Sequence, residues 1–65
     1  MKNKIYEFRK MRKMTQAKLS ELAKLPSYTV VQDYEHERRT PSLESAIRIA
    51  KALETTVEEL FELEE

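Results

Sequence analysis

Residues 15–35 read TQAKLSELAKLPSYTVVQDYE, and this stretch decides the fold that the sequence predicts. Thr15 is a suitable N-cap for a short helix. The predicted buried stripe of that helix is Leu19, Leu22 and Ala23, and its predicted end is Lys24 or Leu25. Pro26 disfavours helical geometry at the residue before it, so Ser27 is placed to cap another helix that begins at Tyr28. The stretch therefore predicts two short helices joined by a tight turn.

Three more helices are predicted around this pair. Residues 3–13 form the first, with a stripe of Ile5, Phe8 and either Met11 or Arg12. The fourth opens with Thr40 as its cap and Pro41 in its first turn. Its stripe is Leu43, Ala46, Ile47, Ile49, Ala50 and Leu53. In the third helix, either Val30 or Val31 faces inward together with Tyr34.

Thr56 and Glu59 have the spacing of a capping box, which predicts a fifth helix from about Val57. This helix is expected to carry Leu60, Phe61 and Leu63. No stretch alternates between apolar and polar residues for long enough to predict a strand. We therefore predict an all-α fold, a compact bundle of five short helices.

The composition excludes several classes of site. The chain has 65 residues and a mass of 7.7 kDa, which predicts one small domain over residues 1–65. Without glycine it cannot form a phosphate-binding loop, a dinucleotide-binding fingerprint or a nucleophile elbow. Without cysteine, and with His36 as its one histidine, it is expected to hold no disulfide and no metal. We also expect no cofactor, no enzymatic activity, and no membrane span or signal peptide, as in a cytoplasmic protein.

Charge is distributed unevenly although the formal net charge is zero. Residues 1–24 carry eight basic and two acidic side chains, a net charge of +6. Residues 54–65 carry six glutamates and no basic residue, a net charge of −6, and the segment between them is balanced. This asymmetry fits a basic face that meets a polyanion, and equally two solvated helix surfaces that attract each other.

Two short helices joined by a tight turn, among helices that build a core, are the parts of a helix-turn-helix. Four motifs in register resemble the Cro/repressor-type (Xre-like) helix-turn-helix family, whose members have a lambda repressor-like DNA-binding domain. The motifs are Met14-Thr15-Gln16-Ala17-Lys18-Leu19-Ser20, Glu35 followed by Pro41-Ser42-Leu43, Ile49-Ala50-Lys51-Ala52-Leu53, and Glu59-Leu60-Phe61. The resemblance covers nearly the whole chain and implies an intracellular DNA-binding protein of bacterial, archaeal or phage type.

The sequence departs from the family pattern at three joints between helices. Where the family commonly has glycine, this chain has Lys24, Glu37 and Glu54. Either the backbone remains left-handed there, at a cost of about 1 kcal/mol for each residue, or the joint is rebuilt locally.

The segment from Thr15 to Glu35 is also one residue longer than the family pattern. If the extra residue lies in the turn, Val31 is the buried anchor of the third helix, and the outer face carries Tyr28, Thr29 and Asp33. If it lies within that helix, Val30 is the anchor, and the outer face carries Ser27, Tyr28 and Gln32. Tyr28 is exposed in both alternatives.

An α-helix fits the major groove of B-DNA, where side chains near its N-terminus can contact base edges. We predict a recognition helix over residues 28–36 with candidate base contacts at Tyr28, Thr29 and Gln32. Candidate phosphate contacts are Gln16, Lys18, Ser27, Arg38 and Arg39, joined by Arg9 or Arg12 if these face the groove. In a second interpretation, Arg38 and Arg39 pair with Glu35 and Glu37 instead.

One short recognition helix reads few base pairs, which predicts a homodimer on a palindromic operator in double-stranded DNA. The predicted dimer interface is Val57, Leu60, Phe61 and Leu63, some of which must instead complete the monomer core. The sequence thus favours a sequence-specific transcriptional regulator, specifically a repressor. The alternative is a protein-binding helix-turn-helix module, such as an antitoxin-like or anti-regulator domain, which Asp33 and the net neutrality support.

Overall fold

The computed structural model describes residues 2–62, and its helices lie in the order that the sequence predicts. The helices are α1 (Ile5–Met11), α2 (Gln16–Leu22), α3 (Tyr28–Glu35), α4 (Leu43–Ala52) and α5 (Val57–Leu60). Two short strands, β1 (Lys2–Asn3) and β2 (Phe61–Glu62), pair antiparallel and bring the two ends of the described range together. The all-α prediction is confirmed apart from this two-residue ladder. No helix within residues 2–62 has the length and apolar character needed to cross a membrane.

Side-chain caps fix the first turns of three helices. The hydroxyl oxygens of Thr15, Ser42 and Thr56 accept hydrogen bonds from the backbone N–H groups of Lys18 (3.0 Å), Ser45 (3.2 Å) and Glu59 (3.1 Å). Each bond satisfies a donor that has no partner within its own helix. The predicted caps at Thr15 and Thr56 are confirmed.

The predicted start of the fourth helix is wrong. Ser42, not Thr40, is the N-cap of α4, and Pro41 precedes the helix instead of occupying its first turn. The capping box at the start of α5 is half formed, because the Glu59 carboxylate accepts a hydrogen bond from the Thr55 hydroxyl (2.7 Å).

Each of the helices α1 to α4 is followed, two positions after its last residue, by a charged residue in the left-handed region. These residues are Lys13 (φ 53°), Lys24 (φ 57°), Glu37 (φ 58°) and Glu54 (φ 56°). Around Lys24, its own N–H donates to the Glu21 carbonyl (3.2 Å) and the Leu25 N–H donates to the Ser20 carbonyl (2.8 Å). This is the Schellman pattern, which usually places glycine at the left-handed position. Of the two alternatives for the three joints, left-handed geometry is the one that the structure has, and Lys13 is a fourth case that the family pattern did not reveal.

These ends make the helices shorter than predicted. The first helix is predicted over residues 3–13, but Asn3 belongs to β1 and Lys13 has a left-handed backbone conformation. The second helix ends at Leu22, with Ala23 as its C-cap, before the predicted end at Lys24 or Leu25.

The hydrophobic core receives side chains from every helix. Its largest fully buried side chains are those of Ile5, Leu19, Val31, Ile49, Leu53 and Leu60. Several residues of the predicted stripes lie at the surface instead, namely Leu22 (46% exposed), Leu43 (73%), Ile47 (39%), Met11 (69%) and Arg12, the alternative to Met11. The prediction for the end of the first stripe is therefore wrong, because Arg9 is the buried residue one turn after Ile5. Because α2 packs through Leu19, Ser20 and Ala23, Leu22 lies on the flank of the buried face.

The prediction that Phe61 belongs to the fifth helix is wrong. Phe61 has extended geometry (φ −120°, ψ 131°) and pairs with Asn3 in the ladder. Next to this pair, the Lys4 N–H donates to the Leu60 carbonyl (2.8 Å). Leu63, also predicted in that helix, lies outside the described residues.

Candidate nucleic-acid interface

The helices α2 and α3 pack against each other more extensively than any other pair of elements in residues 2–62. The turn between them is anchored at Leu25, whose N–H bonds to the end of α2 and whose side chain packs against the core. Pro26 follows and excludes a continuing helix. The two helices and their anchored turn form the predicted helix-turn-helix.

The start of α3 is the exposed part of this motif. The Tyr28 side chain is at the surface, with the residue 52% exposed, and Ser27 and Thr29 are exposed beside it. Ser27 is the N-cap by position, but its hydroxyl makes a hydrogen bond of 2.6 Å with the Thr29 hydroxyl and does not cap the helix. Gln32, one turn further along, is half-buried. Two candidate base contacts, Tyr28 and Thr29, therefore lie at the start of α3, and the third, Gln32, lies near its middle.

The opposite face of α3 is buried. Val31 is inaccessible to solvent, and Val30 and Tyr34 are also buried. The alternative that places the extra residue in the turn, with Val31 as anchor, agrees with this arrangement. The two alternatives are less distinct than the sequence suggested, because both valines are buried and both Gln32 and Asp33 are half-buried.

A buried ion pair holds the other end of α3. The Arg9 Nε donates to Glu35 Oε2 at 2.6 Å, and the side chains are only 9% and 6% exposed. A second bond joins Arg9 Nη2 to Glu35 Oε1 (3.2 Å), and Gln16 Nε2 donates to the same oxygen (3.0 Å). The Arg9 Nη1 donates to the Met14 carbonyl (2.8 Å). This network joins α1, the start of α2 and the end of α3, and it satisfies charges that would otherwise be costly to bury.

The network changes the interpretation of two predicted residues. Arg9 is buried, so it does not face a groove and cannot act as a phosphate clamp. Gln16 remains a predicted phosphate contact, but one of its amide hydrogens is already bound to Glu35. Arg9 lies one turn after Ile5 on the buried side of α1, a position from which sequence alone could have suggested a buried partner.

The remaining cationic candidates are exposed. Lys18 pairs with Glu21 on the same helix (3.1 Å), and Arg38 pairs with Asp33 (3.2 Å). The predicted pairing of Arg38 with Glu35 or Glu37 is therefore wrong. Arg39 lies in the exposed loop after α3.

The predicted dimer interface divides into buried and accessible residues. Leu60 is fully buried in the monomer core, so the prediction that it forms the interface is corrected. Val57 and Phe61 are half-buried and pack partly against the core. Leu63 lies outside the described residues.

Residues 5–60, which include the helix-turn-helix and all five helices, match the family model described as helix-turn-helix, of the Cro/C1 type. This chain belongs to the Cro/C1-type helix-turn-helix family. The family consists of DNA-binding regulatory domains, and membership indicates a DNA-binding regulator whose partner is double-stranded DNA. A search of the curated proteins finds no significant match.

Proposed function

We propose that this chain is a sequence-specific repressor that binds a palindromic operator in double-stranded DNA as a homodimer. The observation that carries the proposal is the exposed start of α3, where Ser27, Tyr28 and Thr29 are accessible on a helix anchored by a buried ion pair. A rigid helix with an accessible N-terminal turn suits insertion into the major groove. The protein would act in the cytoplasm, without enzymatic activity.

Base readout is assigned to three side chains of α3. Tyr28 is 52% exposed, and its side chain has both a ring and a hydroxyl with which to contact a base. The Thr29 methyl group suits contact with a thymine methyl, since its hydroxyl already bonds to Ser27. The Gln32 amide can bond to the edge of adenine.

Phosphate contacts are assigned to the exposed groups around α3. Lys18 and Arg39 supply positive charge, and the Ser27 hydroxyl and the free amide hydrogen of Gln16 supply donors. Arg38 neutralises Asp33, which removes one carboxylate that would otherwise repel a phosphate.

Dimerisation is assigned to the surface around Val57 and Phe61, with Leu63 as a further candidate. The longest dimension of one protomer is 32 Å, and successive major-groove faces lie about 34 Å apart. One copy of α3 reads one half-site, so a second copy is needed for an operator of useful length.

The test begins with enrichment of binding sequences from random duplexes, followed by a comparison of Tyr28→Ala and Tyr34→Ala. Tyr28→Ala is expected to fold normally and to lose preference for the enriched operator by about tenfold or more, as for the loss of a good base contact. Tyr34→Ala is the control, because Tyr34 is only 7% exposed and its loss should lower the stability. Binding is measured by fluorescence anisotropy and stability by thermal unfolding.

A protein-binding module is the second candidate function, favoured by the acidic residues Asp33 and Glu37 near the reading face. It predicts that no sequence is enriched and that no duplex binds even at low salt, while the protein remains folded. That result would overturn the repressor proposal.

A further inference from the structure

An open groove of about 450 Å³ lies between the C-terminal end of α2 and the second half of α4. Its lining residues are Leu22, Lys24, Arg48, Lys51, Ala52 and Glu54. Leu22 was expected in the core, but it is nearly half exposed here and forms an apolar floor with Ala52. Leu22 lies six residues after Gln16, at the end of α2 away from the candidate phosphate contact, and this corresponds to about 9 Å along the helix.

The rim of the groove is positively charged. Among residues 2–62, no carboxylate oxygen lies within salt-bridge distance of the Lys24 or Lys51 ammonium groups. Arg48 pairs with Glu44 (3.2 Å) on the solvent side of α4. Glu54 is the one acidic lining residue, and Arg12 neutralises it (3.3 Å). An occupant that complements this groove therefore combines an apolar face with negative charge.

The shape and composition of the groove limit the kinds of molecule that can occupy it. A DNA backbone does not complement an apolar floor, since every phosphate is charged. The acidic end of a second copy is not the favoured occupant either, because Leu60 is fully buried and the half-buried Val57 and Phe61 are already assigned to the proposed dimer interface. A groove between two helices is a common seat for an amphipathic helix, which inserts apolar side chains spaced by one turn.

We propose that this groove is a docking site for an acidic amphipathic helix of a partner protein. The partner's leucine-type side chains contact Leu22 and Ala52, and its flanking carboxylates face Lys24, Arg48 and Lys51. This binding surface is separate from α3 and does not depend on the proposed repressor function.

The probe is a synthetic helical peptide of about four turns, with leucines on one face and glutamates on both flanks. Its binding to the full chain is measured by fluorescence anisotropy, and the site is mapped by amide chemical shifts. Leu22→Lys is expected to weaken binding about tenfold or more, because the apolar contact is lost and a further charge occupies the floor. Lys51→Glu is expected to weaken binding and to reduce its dependence on salt.

Met11→Lys is the matched control, since Met11 is an exposed apolar residue on α1 outside the groove. It is expected to bind the peptide like the wild type, and both lysine variants should retain the thermal midpoint. The proposal is overturned if the wild type does not bind the peptide, or if Leu22→Lys binds it as tightly as the wild type does. It is also overturned if the changes in amide chemical shift map to α3. If sedimentation shows that the wild type self-associates and that Leu22→Lys abolishes this self-association, the groove is assigned to a second copy. That result would also overturn the docking proposal. Operator binding by Leu22→Lys is measured in parallel and should equal that of the wild type, because Leu22 lies outside the proposed DNA contacts. Failure of the docking proposal is thus distinguished from failure of the repressor proposal.

Discussion

Four charged side chains occupy positions where the backbone favours glycine. Lys13, Lys24, Glu37 and Glu54 all have φ between 53° and 58°. A Cβ atom in this region costs about 1 kcal/mol, which is considerable beside the roughly 3–10 kcal/mol of total stability typical for a chain of this length. The hydrogen bonds that end each helix hold these residues in place.

Lys24→Gly is expected to raise the free energy of unfolding by about 0.5–1 kcal/mol. The gain is the relief of left-handed strain, reduced by the greater freedom of glycine in the unfolded chain. A gain of this size corresponds to a rise of a few degrees in the thermal midpoint, about 4–8 °C for each kcal/mol. Circular dichroism during heating and in urea measures both quantities.

Lys24→Ala is the control for this prediction, because it removes the same charge but keeps the Cβ atom. We expect no comparable gain from it. Equal stabilisation by alanine and glycine would show that the lysine charge, and not the backbone, is unfavourable at this position.

Among the secondary-structure elements, α1, α2 and α3 are joined by one buried polar network. Glu35, on the last turn of α3, accepts hydrogen bonds from Arg9 on α1 and from Gln16 at the start of α2. Removing one member of a buried pair leaves the other charge uncompensated, and this cost exceeds that of losing an exposed pair. The network therefore sets how firmly α3 presents its exposed end.

Arg9→Met is expected to lower the free energy of unfolding by about 3–5 kcal/mol, since Glu35 then loses its charged partner. The double variant Arg9→Met with Glu35→Leu should recover much of this loss, because no unpaired charge remains buried. Lys18→Met, which removes the exposed pair with Glu21, should cost less than about 1 kcal/mol. Urea unfolding of the four proteins, wild type included, measures these values.

Losses of similar size for Arg9→Met and Lys18→Met would contradict the anchoring role of the buried pair. If the double variant is as unstable as Arg9→Met, the loss comes from the packing of the Arg9 side chain instead.

Across the whole molecule, positive and negative charge are concentrated in different parts of the chain, even though the net charge is zero. The basic residues lie mostly in the first 24 positions, and the six glutamates of residues 54–65 follow α4. Within the described part of that segment, two charges are offset, because Lys4 pairs with Glu62 (3.1 Å) and Arg12 pairs with Glu54 (3.3 Å). A dimer formed around Val57 and Phe61 would bring two acidic segments together, so its association should respond to salt in the opposite sense to DNA binding.

Raising the salt concentration is expected to tighten the homodimer, because repulsion between the acidic segments is screened. The same change should weaken operator binding steeply, because the release of counterions into a more concentrated salt solution is less favourable. Arg39→Ala should make the salt dependence of operator binding shallower by about one unit in the log–log slope. Sedimentation equilibrium and fluorescence anisotropy, each over a salt series, measure the two effects.

Arg48→Ala is the control variant, because Arg48 lies on α4 outside the predicted DNA contacts, and its slope should match that of the wild type. A dimer that weakens with salt would place the interface elsewhere than the acidic end.

Much of the fold could be predicted from the sequence because its signals are local. Thr15, Ser27 and Thr56 lie at the predicted N-cap positions, and Pro26 separates α2 from α3 as expected. The apolar periodicity also identified most of the core. Such signals act within one or two turns of chain and do not require knowledge of what packs against them.

The candidate site was predicted less completely, because its organisation depends on contacts between distant residues. Arg9 and Glu35 are separated by 26 positions, so neither the pair nor the use of Gln16 within it can be read from periodicity. Likewise, the exposure of Leu22 depends on which face of α2 packs against the neighbouring helices. Phe61 is a strand residue because it pairs with Asn3, which is distant in the sequence.

The sequence by itself determined the five helices, the caps of α2 and α5, the helix-turn-helix and the family, because each of these rests on spacing along the chain. Only the tertiary structure decided that Arg9 is buried, that it pairs with Glu35 and that Leu22 lies in a basic groove. The physical reason is that burial and ion pairing are set by which surfaces meet in space, and this is a property of the packed molecule rather than of any short segment.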